Sequence, residues 1–328
     1  MNREVRSGDF LLLIITAILW GISFLFIKVA VASLPPCTLV GLRLFLASLF
    51  LLCYVYGTGS KMPKPGRAWL PFLILGVTNC TAPYLLIAWG EIYIDSGLAA
   101  ILGATMPLFT ILFGHFVARS ERMTGTKLAG LGVGLIGVIL LIGPDAVNGL
   151  GVHIWAQMAM VLASACYASA AVYGSMLKGM KASVVTAGQV VAGLLTILPF
   201  MLAEAPWTLR PSGLSLLAVL GLALFGTAIP YVMYFHLLTA VGATNTSLVT
   251  YLIPMVGVMA GVFFLNEQVS MLSILSLFLI LGGVAGVSGI CPLKPLKKES
   301  IDQMIDDQGH IGKLYTPKNE QAEDETKG

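Results

Sequence analysis

Four ionisable residues lie inside or at the edge of long apolar runs, where a charge is costly unless it faces a cavity or a partner: Lys28, Arg43, Glu91 and Asp95. At about 1.5 Å of helical rise per residue, Lys28 falls near the far end of the first run and Arg43 one to two turns inside the start of the second. Glu91 and Asp95, four apart and able to share a helical face, end the third. The four therefore gather on one side, where two cations and two acids can form a gate of ion pairs that also meets the charges of a solute. A blander reading stays open, in which Lys28 and Arg43 snorkel to lipid headgroups and the acids sit in water.

A second set is polar or amphipathic but uncharged, deep within the runs: Trp20, Asn79, Tyr84, Tyr167, Gln189 and Tyr231. An Asn or Gln at that depth must satisfy its amide within the protein, while Tyr and Trp give a cavity apolar walls with a hydrogen-bonding tip. Ordinary helix packing is the alternative for each ring. Pro83, Pro107, Pro230 and Pro254 each remove a helical hydrogen bond and free a carbonyl, giving a kink, a hinge or a substrate contact. Gly130/Gly134 and Gly282/Gly286 are pairs of small residues one turn apart, suited to close helix packing or to a homodimer face. His115 and His236, near the inner ends of their runs, read as structural, and Glu121 and Glu267 read as caps of the helices that follow them. No carboxylate occurs at mid-run, so a buried Asp/Glu proton relay has no support.

Other chemistry finds no constellation. There is no HExxH, no Gly-x-Ser-x-Gly and no carboxylate-rich metal motif; the Gly312-Lys313 pair lacks the glycine of a phosphate-binding loop. Five scattered cysteines have no pairable or metal-like spacing, and no basic stripe suggests nucleic acid. An integral membrane enzyme is thus the weaker alternative, and no cofactor or metal is expected. A receptor or scaffold is the other alternative.

The elements that must position these residues follow from composition. Of 328 residues, 57% are hydrophobic and 11% charged, against about 25% charged in a soluble domain. Ten apolar runs have the length of a membrane crossing: 10–32, 38–56, 68–89, 97–118, 127–142, 154–177, 184–202, 213–238, 247–265 and 271–290. Lipid leaves no partner for an unpaired backbone, and the runs lack strand alternation, so an all-α integral membrane protein is expected. With the N-terminus inside, the inner loops carry Arg3, Arg6, Lys61, Lys64, Arg67, Arg119, Arg122, Lys127, Lys178, Lys181, Lys294, Lys297 and Lys298, and the outer loops Arg210 alone. That asymmetry places both termini in the cytoplasm. The acidic, aromatic-poor segment 292–328 reads as a disordered cytoplasmic tail.

The two halves repeat. Ala82-Pro83-Tyr84 corresponds to Ile229-Pro230-Tyr231, and Thr105-Met106-Pro107 to Leu252-Ile253-Pro254, both at an offset of 147 residues. Five crossings per half turn the second upside down relative to the first, which is the inverted-repeat plan of secondary transporters. The units are 9–143 and 151–291.

The same residues carry a family resemblance. Leu19-Trp20-Gly21-Ile22-Ser23-Phe24 with Lys28-Val29-Ala30, Leu34-Pro35-Pro36 with Leu42-Arg43-Leu44, and Ser96-Gly97-Leu98-Ala99-Ala100 leading to Ala104-Thr105-Met106-Pro107 resemble the EamA branch of the drug/metabolite transporter superfamily. Tyr167 stands where the second repeat often has Trp. The resemblance implies a ten-helix secondary transporter in the cell membrane, an exporter of amino acids or other small metabolites by alternating access, with a small-molecule substrate and the lipid bilayer as its partners. Reporter fusions after Lys64, Arg122, Lys181 and Lys298 are expected to read cytoplasmic and one after Pro144 external; a cytoplasmic reading after Pro144 contradicts this topology.

Overall fold

The computed structural model describes residues 7–119, 123–147, 151–177, 180–241, 246 and 248–288, and these form helices and turns without a strand. The tail 292–328, Glu121 and the loop cations Arg3, Arg6, Arg122, Lys178, Lys294, Lys297 and Lys298 lie outside the described residues. The helices are α1 (Ser7–Val31), α2 (Pro36–Gly57), α3 (Arg67–Tyr93), α4 (Ser96–Phe116), α5 (Gly125–Val147), α6 (Val152–Met176), α7 (Ala182–Ala203), α8 (Gly213–Ala223, running on through Leu224–Ala228 into Ile229–Ala240), α9 (Val249–Leu265) and α10 (Met271–Ser288). Among the described residues nine are long and apolar enough to cross a membrane, and α9 is a tenth apolar helix of 17 residues. The chain is a multi-pass all-α membrane protein. Its outer surface is rich in exposed Leu, Ile and Phe such as Leu217, Phe263, Phe264 and Phe278, as a wall facing hydrocarbon must be.

Three of the four singled-out prolines sit where a helix changes pitch or breaks. In α3 a wider π-helical turn, Gly76–Thr81, precedes Pro83; in α8 the turn Leu224–Ala228 precedes Pro230, at the repeat-equivalent place. Proline brings no N–H back to the preceding turn, so a π turn at that point absorbs the mismatch instead of leaving a sharp kink. In α4 the helix breaks between Ser96–Gly103 and Met106–Phe116, with Pro107 in the first turn of the second piece. Pro107 cannot donate to Gly103 four residues earlier, and the Gly103 carbonyl instead accepts the Ser164 hydroxyl of α6 at 3.3 Å. Pro254 stays inside α9.

Small residues set the closest approaches. A Cβ added at Gly76 would lie 2.7 Å from the Gly193 backbone nitrogen, so the π turn of α3 rests directly on α7. Thr81 Oγ1 then reaches the Gly193 carbonyl at 3.0 Å. The glycines of α5 and α10 pack against each other within one chain: a Cβ at Gly130 would meet the Gly283 carbonyl oxygen at 2.7 Å. The expected Gly282/Gly286 pair is corrected here to Gly283 and Gly286, because Gly282 faces open space. The face carrying Gly130, Gly134, Gly283 and Gly286 is thus occupied inside the chain.

Backbone-to-backbone contact leaves no room for a methyl, and overpacking costs about 1 to 3 kcal/mol. Gly283→Ala should lower the melting temperature of the detergent-purified protein by several degrees while Gly282→Ala leaves it unchanged, read by differential scanning fluorimetry. Equal effects would contradict the assigned packing face.

Candidate functional site

The bundle encloses a cavity of about 620 Å³, and Trp20, Arg43, Asn79, Tyr84, Tyr167, Gln189 and Tyr231 all line it. Each is brought there by a local feature. The π turn of α3 seated on α7 puts Asn79 opposite Gln189, which stands one turn before Gly193; Asn79 Nδ2 donates to Gln189 Oε1 at 3.1 Å and to the Tyr231 hydroxyl at 3.2 Å. The π turn of α8 holds Arg43: Nε donates to Thr227 Oγ1 at 2.8 Å and Nη2 to the Gly226 carbonyl at 3.3 Å. The guanidinium carbon lies 3.6 Å from the centroid of the Tyr84 ring, a cation–π contact.

The rings are arranged in matching pairs. Trp20 meets Tyr231 edge-to-face at 6.0 Å, and Tyr167 meets Tyr84 edge-to-face at 6.4 Å. At the 147-residue offset, Trp20 corresponds to Tyr167 and Tyr84 to Tyr231, so each pair is the other with the halves exchanged. Tyr84 and Tyr231, repeat-equivalent, also meet each other through their side chains. Tyr234, which packs on Trp20 at 5.2 Å, was not singled out by the sequence, nor was Thr227.

The charged group expected on one side is built differently from the expected gate. Lys28 Nζ donates to the backbone carbonyls of Glu91 at 2.7 Å and Ile94 at 2.8 Å, rather than to a carboxylate among the described residues. Arg43 is 4% exposed and turned into the cavity rather than toward Glu91 or Asp95. Glu91 and Asp95 do not share a face, because α3 ends at Tyr93 and Ile94 is extended (φ −122°, ψ 161°). Asp95 is exposed, whereas Glu91 is fully buried and neither of its carboxyl oxygens has a hydrogen-bond partner among the described residues. Lys28 and Glu91 do not line the cavity; they close the protein above it.

At that same end two carboxylates from the second half cap helices of the first. Glu267, beyond α9, accepts from Ser96 N and Ser96 Oγ at 2.8 Å and from Gly97 N at 2.9 Å, at the start of α4. The sequence reading of Glu267 as a cap of the following helix is corrected: it caps α4, where Asp95 in the N-cap position makes no such bond. Glu204, at the end of α7, accepts from Cys37 N at 3.2 Å, Thr38 N at 2.6 Å and Thr38 Oγ1 at 2.7 Å, at the start of α2. Pro35, ahead of α2, has no side-chain oxygen with which to cap it. A carboxylate on free amide hydrogens at a helix N-terminus combines charge-assisted hydrogen bonds with the helix dipole. Nothing near Glu204 in the sequence marked it, since its partner lies 166 residues away. Partial burial and the Glu267 carboxylate raise the Asp95 carboxyl above its ordinary range, with Lys28 and His153 pulling the other way.

Serines complete this seal. Ser33 Oγ donates to Ser215 Oγ at 2.7 Å and accepts from Ser212 N at 3.1 Å, and Ser215 Oγ donates to the Val29 carbonyl at 3.0 Å. The cavity runs the other way, reaching Leu177, Met180 and Ala182 at the α6–α7 connection. That end holds the Lys181 Nζ to Ser60 Oγ contact at 3.3 Å; near the N-terminus, exposed His236 stands 4.0 Å from Asp9. His115 packs edge-on against Phe116 and lines no part of the cavity.

The chain matches the EamA-like transporter family twice, over residues 7–143 and 154–289. It is 30% identical over 264 residues to an uncharacterized inner membrane transporter, YedA, of Escherichia coli strain K12, covering 79% of this chain and 84% of that protein. An uncharacterized transporter of Archaeoglobus fulgidus is 27% identical over 269 residues, covering 80% and 91%. One crystal structure superposes with a TM-score of 0.61 at 19% identity, over 87% of this chain and 98% of the other, a likeness of fold.

Charge-assisted hydrogen bonds contribute about 1.5 to 3 kcal/mol each, so losing one cap should lower amide protection locally by about 10- to 100-fold. Hydrogen exchange is expected to accelerate at the start of α4 in Glu267→Gln and at the start of α2 in Glu204→Gln, each variant leaving the other helix start unchanged. No local acceleration would show that the caps hold nothing.

Proposed function

We propose that this chain, which belongs to the EamA-like transporter family, is a secondary transporter that exports a small organic solute by alternating access, taking it up from one end of the bundle. A single observation supports the reading: among the described residues, the lining of a central cavity extends to Leu177, Met180 and Ala182 at the α6–α7 end, while the other end is stitched by Lys28, the serines and the two carboxylate caps. The positive loop charges place the α6–α7 end in the cytoplasm, so solute enters from inside the cell. Both termini are cytoplasmic on the same argument.

The exchange of ends follows from an inverted repeat of 9–143 and 151–291. The paired rings and the two π turns at equivalent places support it, since halves related by an axis in the membrane plane would place Tyr84 beside Tyr231 on that axis. In that cycle the two ends exchange roles, and among the described residues the carboxylate caps stand at one of them. To open the outer end, the caps from α7 and α9 must leave α2 and α4, and solute binding in the cavity biases that step. Amino acids and other small metabolites fit a cavity of this size.

Purified protein in liposomes loaded with labelled amino acids and organic acids should release at least one of them saturably. Replacing Trp20 or Tyr84 by Ala should raise its half-saturation by about tenfold, the scale of one lost aromatic contact with its buried area. Release of none across the panel, by protein that retains its fold, would remove the transport reading.

A further inference from the structure

The charge of the cavity is lopsided. Among its described lining residues Arg43 is the single Lys, Arg, His, Asp or Glu. Its protein partners are all neutral: the Thr227 hydroxyl, the Gly226 carbonyl and the face of Tyr84. No carboxylate stands within ion-pair distance of it among the described residues. Glu91, two turns beyond Tyr84 on α3, is outside the lining, and Lys28 and Glu267 act on it more strongly than Arg43 does. The guanidinium has five N–H donors in a planar fork, and the protein uses one on Nε and one on Nη2. Those on Nη1 have no protein acceptor among the described residues.

Burying a cation without a counter-charge is costly, and a protein retains such a group where a ligand supplies the missing charge. The uncharged amides cannot do so. Asn79 Nδ2 is engaged by Gln189 and Tyr231, which leaves the pair as a neutral dipole beside the rings. An amine entering this space would meet a like charge at Arg43 and no carboxylate. A zwitterion would satisfy Arg43 but strand its ammonium. Around the cation the walls are Trp20, Tyr167, Tyr231 and Tyr234, with Phe24 and Met160 behind them, which suits a flat or apolar body.

We infer that the solute is an organic anion, a carboxylate or comparable oxyanion on an apolar or aromatic body, whose charge pairs with the free edge of Arg43. This rests on the cavity being the transport site. It narrows the solutes proposed above by setting an anion ahead of a zwitterionic amino acid, and both ahead of an amine. The forked geometry of Arg matters as well as its charge, since two parallel N–H donors match the two oxygens of a carboxylate.

Four compounds on a common phenylalkyl body vary the charged group: 3-phenylpropionate, phenylalanine, phenethylamine and 3-phenylpropanol. Equilibrium binding is read by quenching of tryptophan fluorescence and by thermal shift on the purified full-length protein, neither of which requires transport. The expected order is 3-phenylpropionate tightest, by about tenfold or more over both phenethylamine and 3-phenylpropanol, the scale of one buried charge pair. Arg43→Gln should abolish that preference, and Arg43→Lys should retain part of it because charge persists and the fork is lost. Equal or tighter binding of phenethylamine or phenylalanine, an anion preference that survives Arg43→Gln, or binding of none of the four overturns the inference. Flux from liposomes is scored separately: an anion preference without any flux leaves the inference standing and removes the transport reading, whereas flux of amines with no anion preference does the reverse.

Discussion

Inside hydrocarbon, a polar group finds its partner in the protein or not at all, and the architecture of this protein can be traced to that constraint. Pro83 and Pro230 withhold N–H groups from the turns before them, and those turns widen into π geometry. The Gly226 carbonyl, which Pro230 four residues on cannot use, then accepts from Arg43, and the widened turns also present the side chains of Thr227 to Arg43 and of Asn79 to Gln189. Pro107 leaves the Gly103 carbonyl to Ser164 in the same manner. The polar atoms of the cavity are thus by-products of satisfying the backbone, fixed in place by close glycine contacts such as Gly76 on Gly193.

The ends of the bundle obey the same rule with different partners. A helix begins with amide hydrogens that its own turns cannot satisfy. Where α2 and α4 begin, the donors are met by Glu204 and Glu267, which arrive from the other half of the chain. A bond that caps a helix locally therefore also ties one half to the other, and breaking it leaves charged and polar groups that water must reach. That end of the bundle can open only by becoming wet. Toward the α6–α7 end the described lining of the cavity extends to Leu177, Met180 and Ala182.

Much of this was legible in the residues. The apolar runs located the helices, with α9 shorter than its run, and the six uncharged residues chosen for depth and polarity all stand on the cavity wall. The proline offset anticipated the equivalence that the π turns display, because proline acts on its own helix and needs no tertiary information. What failed was pairing. Lys28, Arg43, Glu91 and Asp95 were grouped by depth alone, and depth cannot say that Lys28 points to carbonyls or that Arg43 turns toward α8, 184 residues away in the chain. Glu204 escaped notice for the same reason: at a loop edge it looks like any solvated acid until α2 is folded beside it. Gly282 and Gly283 are neighbours whose roles differ by one rotation of about 100° around the helix, which a spacing motif does not resolve.

In the proposed transport cycle one end of the bundle is held shut by the two carboxylates while solute enters the cavity from the other. A cysteine at Ala171, a small residue on the cavity wall, reports this directly once Cys37, Cys53, Cys80, Cys166 and Cys291 are replaced. A charged, membrane-impermeant thiol reagent should modify it in inside-out vesicles and not in intact cells, and the added pair Glu204→Gln and Glu267→Gln should make it reactive in intact cells as well. Modification from outside in the parent, at the rate seen from inside, would contradict the account.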